Sequence, residues 1–251
     1  MFEVAAEAYD RFMGRYAVGL APQFADLAGV QPGQRVLDVG CGPGALTAEL
    51  VARLGAENVA AVDPSESFLS ALRERHPGVV ATRAPAEDLP LPDASFDTAL
   101  AQLVVHFMKD PVRGLSEMSR VTRPSGVVAA CVWDHAGGRS PLTTFWEALH
   151  ELDGTAEDES HLPGARAGHL AELFASAGLR DVEDIELETA VTYASFDEWW
   201  EPYTYGIGPA GARVAALDDE RRNELRDRCR QLLPEPPFTI TSVAWAARGA
   251  V

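Results

Sequence analysis

The sequence predicts an α/β fold, a doubly wound and mostly parallel sheet with helices on both faces. Three observations carry that expectation. Short apolar strands alternate with helix-length segments between residues 35 and 133. A glycine-rich turn joins the first of those strands to the first of those helices. The 251 residues are enough for one sheet of this kind, and 47% hydrophobic with 24% charged content is globular rather than disordered.

Residues 5 to 28 read as one or two helices, with Tyr9, Phe12, Met13 and Tyr16 near helical spacing, followed by Phe24 and Leu27. The turn Gln31-Pro32-Gly33-Gln34 ends them. Arg35 to Val39 is an apolar strand that breaks at Gly40. Leu46, Leu50, Val51 and Leu54 mark one face of a helix closed by Gly55. Val59 to Val62 is a second strand ending at Asp63, and Ser65 is placed to cap a helix that buries Phe68, Leu69 and Leu72. Pro77-Gly78 stops that helix before a strand at 79–82. Strands follow at 96–100 and 127–133, with a helix at 111–122 between them. The second half predicts helices at 142–152, 166–177, 195–203 and 218–233, and strands near 182–192 and 237–247. The long stretch between those two strands holds Phe196, Trp199, Trp200, Tyr203 and Tyr205. Stretches of that length in a compact domain are usually functional, so we expect a helical cap over the ligand edge of the sheet. Each aromatic reads equally well as simple core. Residues 1–251 are expected to form a single domain, with a ligand-binding half at 1–135 and cap elements plus the last two strands at 136–251.

A net charge of −17, with Lys109 the only lysine, opposes nucleic-acid binding and an anionic membrane surface, because both need a basic face. Cys41, Cys131 and Cys229 are odd in number and far apart, so reduced thiols in a cytoplasmic protein are expected. The first thirty residues carry Glu3, Glu7, Asp10, Arg11 and Arg15 without a long apolar run, so neither a signal peptide nor a membrane span is expected. No metal is expected: the six histidines show no H-E-x-x-H pair and the cysteines lack C-x-x-C spacing. The oligomeric state is not readable.

The most informative string is Val36-Leu37-Asp38-Val39-Gly40-Cys41-Gly42-Pro43-Gly44, between a predicted strand and a predicted helix. Glycines there let a ligand approach bare backbone, and the helix start offers unpaired N–H groups. Asp63, at the end of the next strand, can accept from both hydroxyls of a ribose. Gly40, Gly42 and Ala45 with a following acid also fit the looser dinucleotide fingerprint, so these features alone leave two cofactor classes open.

The wider string resembles the first motif of the class I S-adenosylmethionine-dependent methyltransferases, an apolar strand followed by Asp-x-Gly-x-Gly-x-Gly. Asp38, Gly40, Gly42 and Gly44 match it. Ala86-Glu87-Asp88-Leu89-Pro90-Leu91 with Phe96-Asp97 is similar to a later region of the family, and Val121-Thr122-Arg123-Pro124-Ser125-Gly126 to another. The opening from Tyr9 to Tyr16 resembles the ubiquinone/menaquinone methyltransferase-like branch. The likeness covers residues 5 to 133, and two departures stand in it. Pro85 replaces the acid that often precedes the Ala-Glu pair, and Ser125 replaces a glycine.

The resemblance implies a Rossmann-like sheet with an antiparallel last strand, S-adenosyl-L-methionine as cofactor, and a small-molecule methyl acceptor. Gly40 and its neighbours Cys41 and Gly42 would face the methionine end, with Asp38 helping. Asp63, beside Pro64, would hold the ribose. Ala86 and Glu87 would bracket adenine between the apolar walls Phe68 and Leu103. Ala101 and Gln102 would lie beside the methionine portion, with Tyr9 and Arg15 reaching its carboxylate. Methyl transfer is an in-line displacement needing no metal or protein nucleophile, and alignment alone can supply about 7–11 kcal/mol. If the acceptor must lose a proton, His106 is the first candidate base and His135 the second, with Asp134 placed to orient it; His161 and Tyr203 rank below them. A short-chain nicotinamide oxidoreductase is opposed by the lack of a Tyr-x-x-x-Lys pair at Lys109, where position 105 is valine. A protein that binds the cofactor as a sensor or scaffold is the non-enzymatic alternative.

Overall fold

A computed structural model describes residues 6–251. Residue 5, the first of the expected N-terminal helix, and Glu3 lie outside the described residues. The described residues open with helix α1 (Ala6–Tyr9), which runs through a π-turn (Asp10–Gly14) into α2 (Arg15–Leu27). Strand and helix then alternate: β1 (Val36–Val39), α3 (Ala45–Leu54), β2 (Val59–Asp63), α4 (Glu66–Arg75), β3 (Val80–Arg83), β4 (Phe96–Gln102), α5 (Pro111–Val121) and β5 (Thr122–Trp133). Ser65 caps α4 by accepting from the Phe68 amide at 3.4 Å, and Asp110 caps α5 from the Arg113 amide at 3.0 Å. Ser125 adopts φ +67°, the left-handed conformation of the glycine it replaces.

The second half supplies α6 (Thr143–Leu152), α7 (His169–Ser176), β6 (Arg180–Tyr193), α8 (Phe196–Trp200), α9 (Gly208–Ala216), α10 (Asp219–Leu232) and β7 (Phe238–Ala250). Among the described residues, seven strands join one sheet in the order β3-β2-β1-β4-β5-β7-β6. The first five are parallel. β7 runs antiparallel between β5 and β6, as an antiparallel last strand requires. From β1 the chain winds outward to β2 and β3, then returns to β4 on the other side of β1, so a topological switch point opens between β1 and β4.

Alternating strand residues feed two cores. Val36, Ala61, Leu100, Ala129 and Cys131 face α2, α3 and the C-terminal helices. Leu37, Val39, Ala60, Val62, Ala99, Ala101, Val128 and Ala130 face the layer of α5 and α7. The aromatics of the second half are core. Phe196, Trp199, Trp200 and Tyr203 are buried, with Tyr203 stacked on Phe145 at 4.8 Å between ring centroids. Large apolar rings at the base of a cap are more stable against α2 and α6 than against solvent. The second half borders the small cavity beside the sheet with Glu159 and residues 207–210 rather than with these rings. Cys41, Cys131 and Cys229 are free and buried. No helix among the described residues is long and apolar enough to cross a membrane.

Candidate active site

At the switch point, the chain leaving β1 must turn sharply to enter α3. Gly40 and Gly42 take φ +70° and +53°, and a Cβ on Gly40 would run into the side chain of Val104. The bend is fastened to β2 by the Gly40 and Cys41 amides, which donate to the Val62 carbonyl at 2.7 and 3.1 Å. Asp63, at the end of β2, then receives the Gly42 amide at 2.9 Å and the Ser65 amide at 2.8 Å. Burial pushes its carboxyl up, and these two donors pull it back down.

This edge of the sheet borders a cleft of about 650 Å³. Of the residues expected to bind a cofactor, Tyr9, Gly40, Gly42, Asp63, Pro64, Phe68, Ala86, Glu87, Gln102 and Leu103 line it together. Leu103 holds φ +62°, uncommon for a branched side chain, with its amide donating to the Cys131 carbonyl at 2.9 Å. Gln102 donates its Nε2 to the Ala17 carbonyl at 3.0 Å, while its Oε1 is buried without a partner. Glu87 is committed to the start of α5: its Oε1 accepts the Lys109 amide at 2.7 Å.

Four of the expected residues lie elsewhere. Asp38 sits behind the bend, where burial raises its carboxyl to about 7 and Thr47 Oγ1 donates to it at 2.6 Å. Cys41 is buried in the core beneath the same bend. Ala101 points into the opposite core. Arg15 is turned toward β6 and α8, pairing with Glu198 at 2.9 Å and lying 4.5 Å over the Tyr193 ring.

A second, inner chamber of about 40 Å³ adjoins the cleft, and Tyr9, Leu103 and Phe107 line both. His106, on the short turn after β4, and His135, just past β5, face it together, with ring centroids 6.0 Å apart. Burial pushes the His106 imidazole well below its ordinary value and lowers His135 to about 4, so both are neutral near pH 7. Asp134 does not orient His135. Its carboxylate takes Arg139 Nε at 2.6 Å and the Gly137 amide at 2.9 Å, and neither ring nitrogen of His135 has a partner. His161 is exposed, and neither it nor Tyr203 lines either cavity.

Sequence reasoning missed Glu159, which also faces the inner chamber. It is buried, its carboxyl raised to about 7 by desolvation, and it accepts Trp146 Nε1 at 3.2 Å. It stands in the acidic run Glu157-Asp158-Glu159, which reads as solvated surface. Lys109 and Arg113, at the mouth of the cleft, carried no sequence signal either.

Residues 37–130 match the family described as the methyltransferase domain. The malonyl-[acyl-carrier protein] O-methyltransferase of Pectobacterium atrosepticum is 34% identical over 169 residues, 64% of this chain and 61% of that protein. The demethylmenaquinone methyltransferase of Mycobacterium sp. strain KMS is 41% identical over 121 residues, 48% of this chain and 51% of that protein. The alignments thus span about half to three-fifths of the length of these curated relatives. Among solved structures, a candidate methyltransferase of Bacillus halodurans superposes with a TM-score of 0.60 at 16% identity. That superposition covers 92% of this chain and 97% of the other, and is a likeness of fold alone.

Proposed function

We propose, from the likeness of residues 37–130 to the methyltransferase domain and from the relatives that share it, that this chain is a class I S-adenosylmethionine-dependent methyltransferase and transfers a methyl group from S-adenosyl-L-methionine to a small-molecule acceptor. When bound, that cofactor supplies a methyl carbon already activated at a sulfonium centre. The protein's part is then alignment, desolvation and, for an acidic acceptor, removal of a proton.

The observation that carries this reading is the Gly40–Gly42 bend beside the Asp63 carboxylate at the switch point of the sheet. The residues present fit the cofactor. A carboxylate has roughly four acceptor sites, so the two amides on Asp63 leave room for two ribose hydroxyls. The unpartnered Gln102 Oε1 can accept from an ammonium group. Phe68, Leu103 and Met108 offer apolar surface for a base. With Pro85 in place of an acid and Glu87 occupied by α5, adenine recognition falls to the backbone around Ala86.

On this reading the acceptor's reacting atom sits at the junction lined by Tyr9, Leu103 and Phe107, facing His106 and His135. Both imidazoles are neutral, and a buried ring nitrogen with no protein partner can accept a hydrogen bond from the acceptor there. The relatives act, by name, on malonyl-[acyl-carrier protein] and on demethylmenaquinone, so similar cofactor halves serve unlike acceptors. The cap, not the bend, would then choose the acceptor.

Loss of two hydroxyl contacts in Asp63→Ala is expected to weaken S-adenosylhomocysteine binding about ten- to a hundredfold. Isothermal calorimetry giving an unchanged affinity would remove the ribose assignment. Release of S-adenosylhomocysteine from S-adenosylmethionine with a panel of acceptors then separates turnover from binding alone.

A further inference from the structure

The inner chamber gathers three side chains that the displacement itself does not require. His106 comes from the turn after β4, His135 from the end of β5, and Glu159 from the loop between α6 and α7. One nitrogen or oxygen from each lies within 4.8 Å of the others. We propose that His106, His135 and Glu159 form a site for one divalent transition-metal ion of the zinc class, set in the floor of the inner chamber.

The donor set comes first. Two imidazoles and one carboxylate are ligands that zinc-like cations take in open, three-ligand sites, whereas calcium and magnesium favour oxygen throughout. Zinc–nitrogen and zinc–oxygen bonds of about 2.0–2.2 Å bring neighbouring ligand atoms to roughly 3.3–3.5 Å. Small side-chain rotations close the remaining gap from 4.8 Å.

Next, the nitrogens lack other employment. His106 is 5% exposed and its Nδ1 has no hydrogen-bond partner, and neither ring nitrogen of His135 has one. Buried polar atoms are nearly always paired, and these belong to the two rings that line the chamber.

Charge and size agree. Among the described residues, no lysine or arginine lines the chamber, and Asp158 adds a second negative charge beside His135. A space of about 40 Å³ holds an ion and a water-sized ligand, not a substituted ring. These ligands sit far apart in the sequence, which is why no spacing pattern announced them.

The role of the ion rests on the methyl-transfer reading, although its binding does not. An acceptor hydroxyl bound at the open position beside Leu103 and Phe107 would lose its proton to solvent more readily, and the resulting oxygen would be the stronger nucleophile.

The test uses the full chain, stripped with a chelator and titrated with Zn²⁺ against a chromophoric competitor, and with Co²⁺ followed by its visible absorption. We expect one equivalent to bind, with a Co²⁺ spectrum of nitrogen and oxygen ligation. His106→Ala and Glu159→Gln should each weaken binding at least tenfold. Absence of stoichiometric binding to the wild-type chain overturns the site, whatever the variants do. So does binding that both variants leave intact, since the ion would then sit elsewhere. Circular dichroism confirms that each variant is folded, and His135→Gln replaces either one that is not. Calorimetry with S-adenosylhomocysteine on the same samples keeps the two readings apart: intact cofactor binding without metal binding sinks only the metal site.

Discussion

Two carboxyl groups meet the glycine bend from opposite sides and are held differently. Asp63 faces the cleft, with two backbone amides stabilising its charge. Asp38 lies behind, 1% exposed, with Thr47 as its side-chain donor and Asp63 as a nearby negative charge. Desolvation therefore lifts Asp38 from 3.8 to about 7. A folded value above the unfolded one means the folded protein binds the extra proton. Asp38 thus subtracts stability as pH rises from about 4 to 7, and the full cost stands above 7. The ammonium group of S-adenosylhomocysteine, whose thioether sulfur is uncharged, favours the charged form when held over the bend, so binding expels that proton. Affinity for S-adenosylhomocysteine is expected to climb up to tenfold per pH unit below about 7 and then to level off. Asp38→Asn should flatten the profile. Calorimetry at pH 6, in two buffers of different ionisation enthalpy, reads the released proton directly; equal apparent enthalpies in both buffers would rule the linkage out. Leu103 is the other residue held at a cost. Its positive φ turns an apolar side chain into the seam between cleft and chamber, a placement a glycine could reach without strain but could not fill.

At the scale of elements, the strands and helices from β1 to β5 were legible because their apolar residues repeat with period two or near 3.6 and glycine or proline ends each run. The glycine bend and Asp63 were legible for a related reason: the residues that make the turn are also the ones that line the cleft. α9 was not. Its opening Gly208-Pro209-Ala210-Gly211 looks like a turn, yet proline sits well in a first helical turn and the small residues let the helix approach its neighbour. Arg15 was misplaced by reading chain proximity as spatial proximity, since six residues of helix carry it well round from Tyr9. Glu159 and the two histidines meet only through tertiary structure. α9 also carries a prediction. A Cβ on Gly211 would stand 2.8 Å from the Gly206 carbonyl carbon, so Gly211→Ala must push α9 off the turn before it. Overpacking of this kind costs about 1–3 kcal/mol. α9 contributes to the inner chamber and nothing to the cleft. Gly211→Ala should therefore lower the melting temperature and slow methyl transfer while leaving cofactor affinity unchanged. A parallel fall in affinity would mean that cap and cleft are not separable in this way.

Across the whole molecule, the two halves are laced together rather than joined end to end. β7, from the end of the chain, is inserted between β5 of the first half and β6 of the second, and α2 lies against β6. Separating the halves would strip β5 of its antiparallel partner β7 and α2 of its packing on β6, so a single cooperative unfolding transition is expected. A ligand that binds only the folded chain must then stabilise all of it at once. At a free concentration a hundredfold above its dissociation constant, that stabilisation is about 2.7 kcal/mol. For a chain of this size each kcal/mol moves the midpoint by about 2–4 °C, so S-adenosylhomocysteine should raise it by about 5–10 °C. The same experiment addresses the rival cofactor, because the glycine pattern alone admitted a dinucleotide. NAD⁺ and NADP⁺ at matched concentrations should leave the midpoint within about 1 °C of the free protein, since a ligand without affinity for the folded state shifts nothing. A dinucleotide that raised the midpoint while S-adenosylhomocysteine did not would reassign the cleft. Two resolved transitions, with only one responding to ligand, would show instead that the cap unfolds independently of the sheet that carries it.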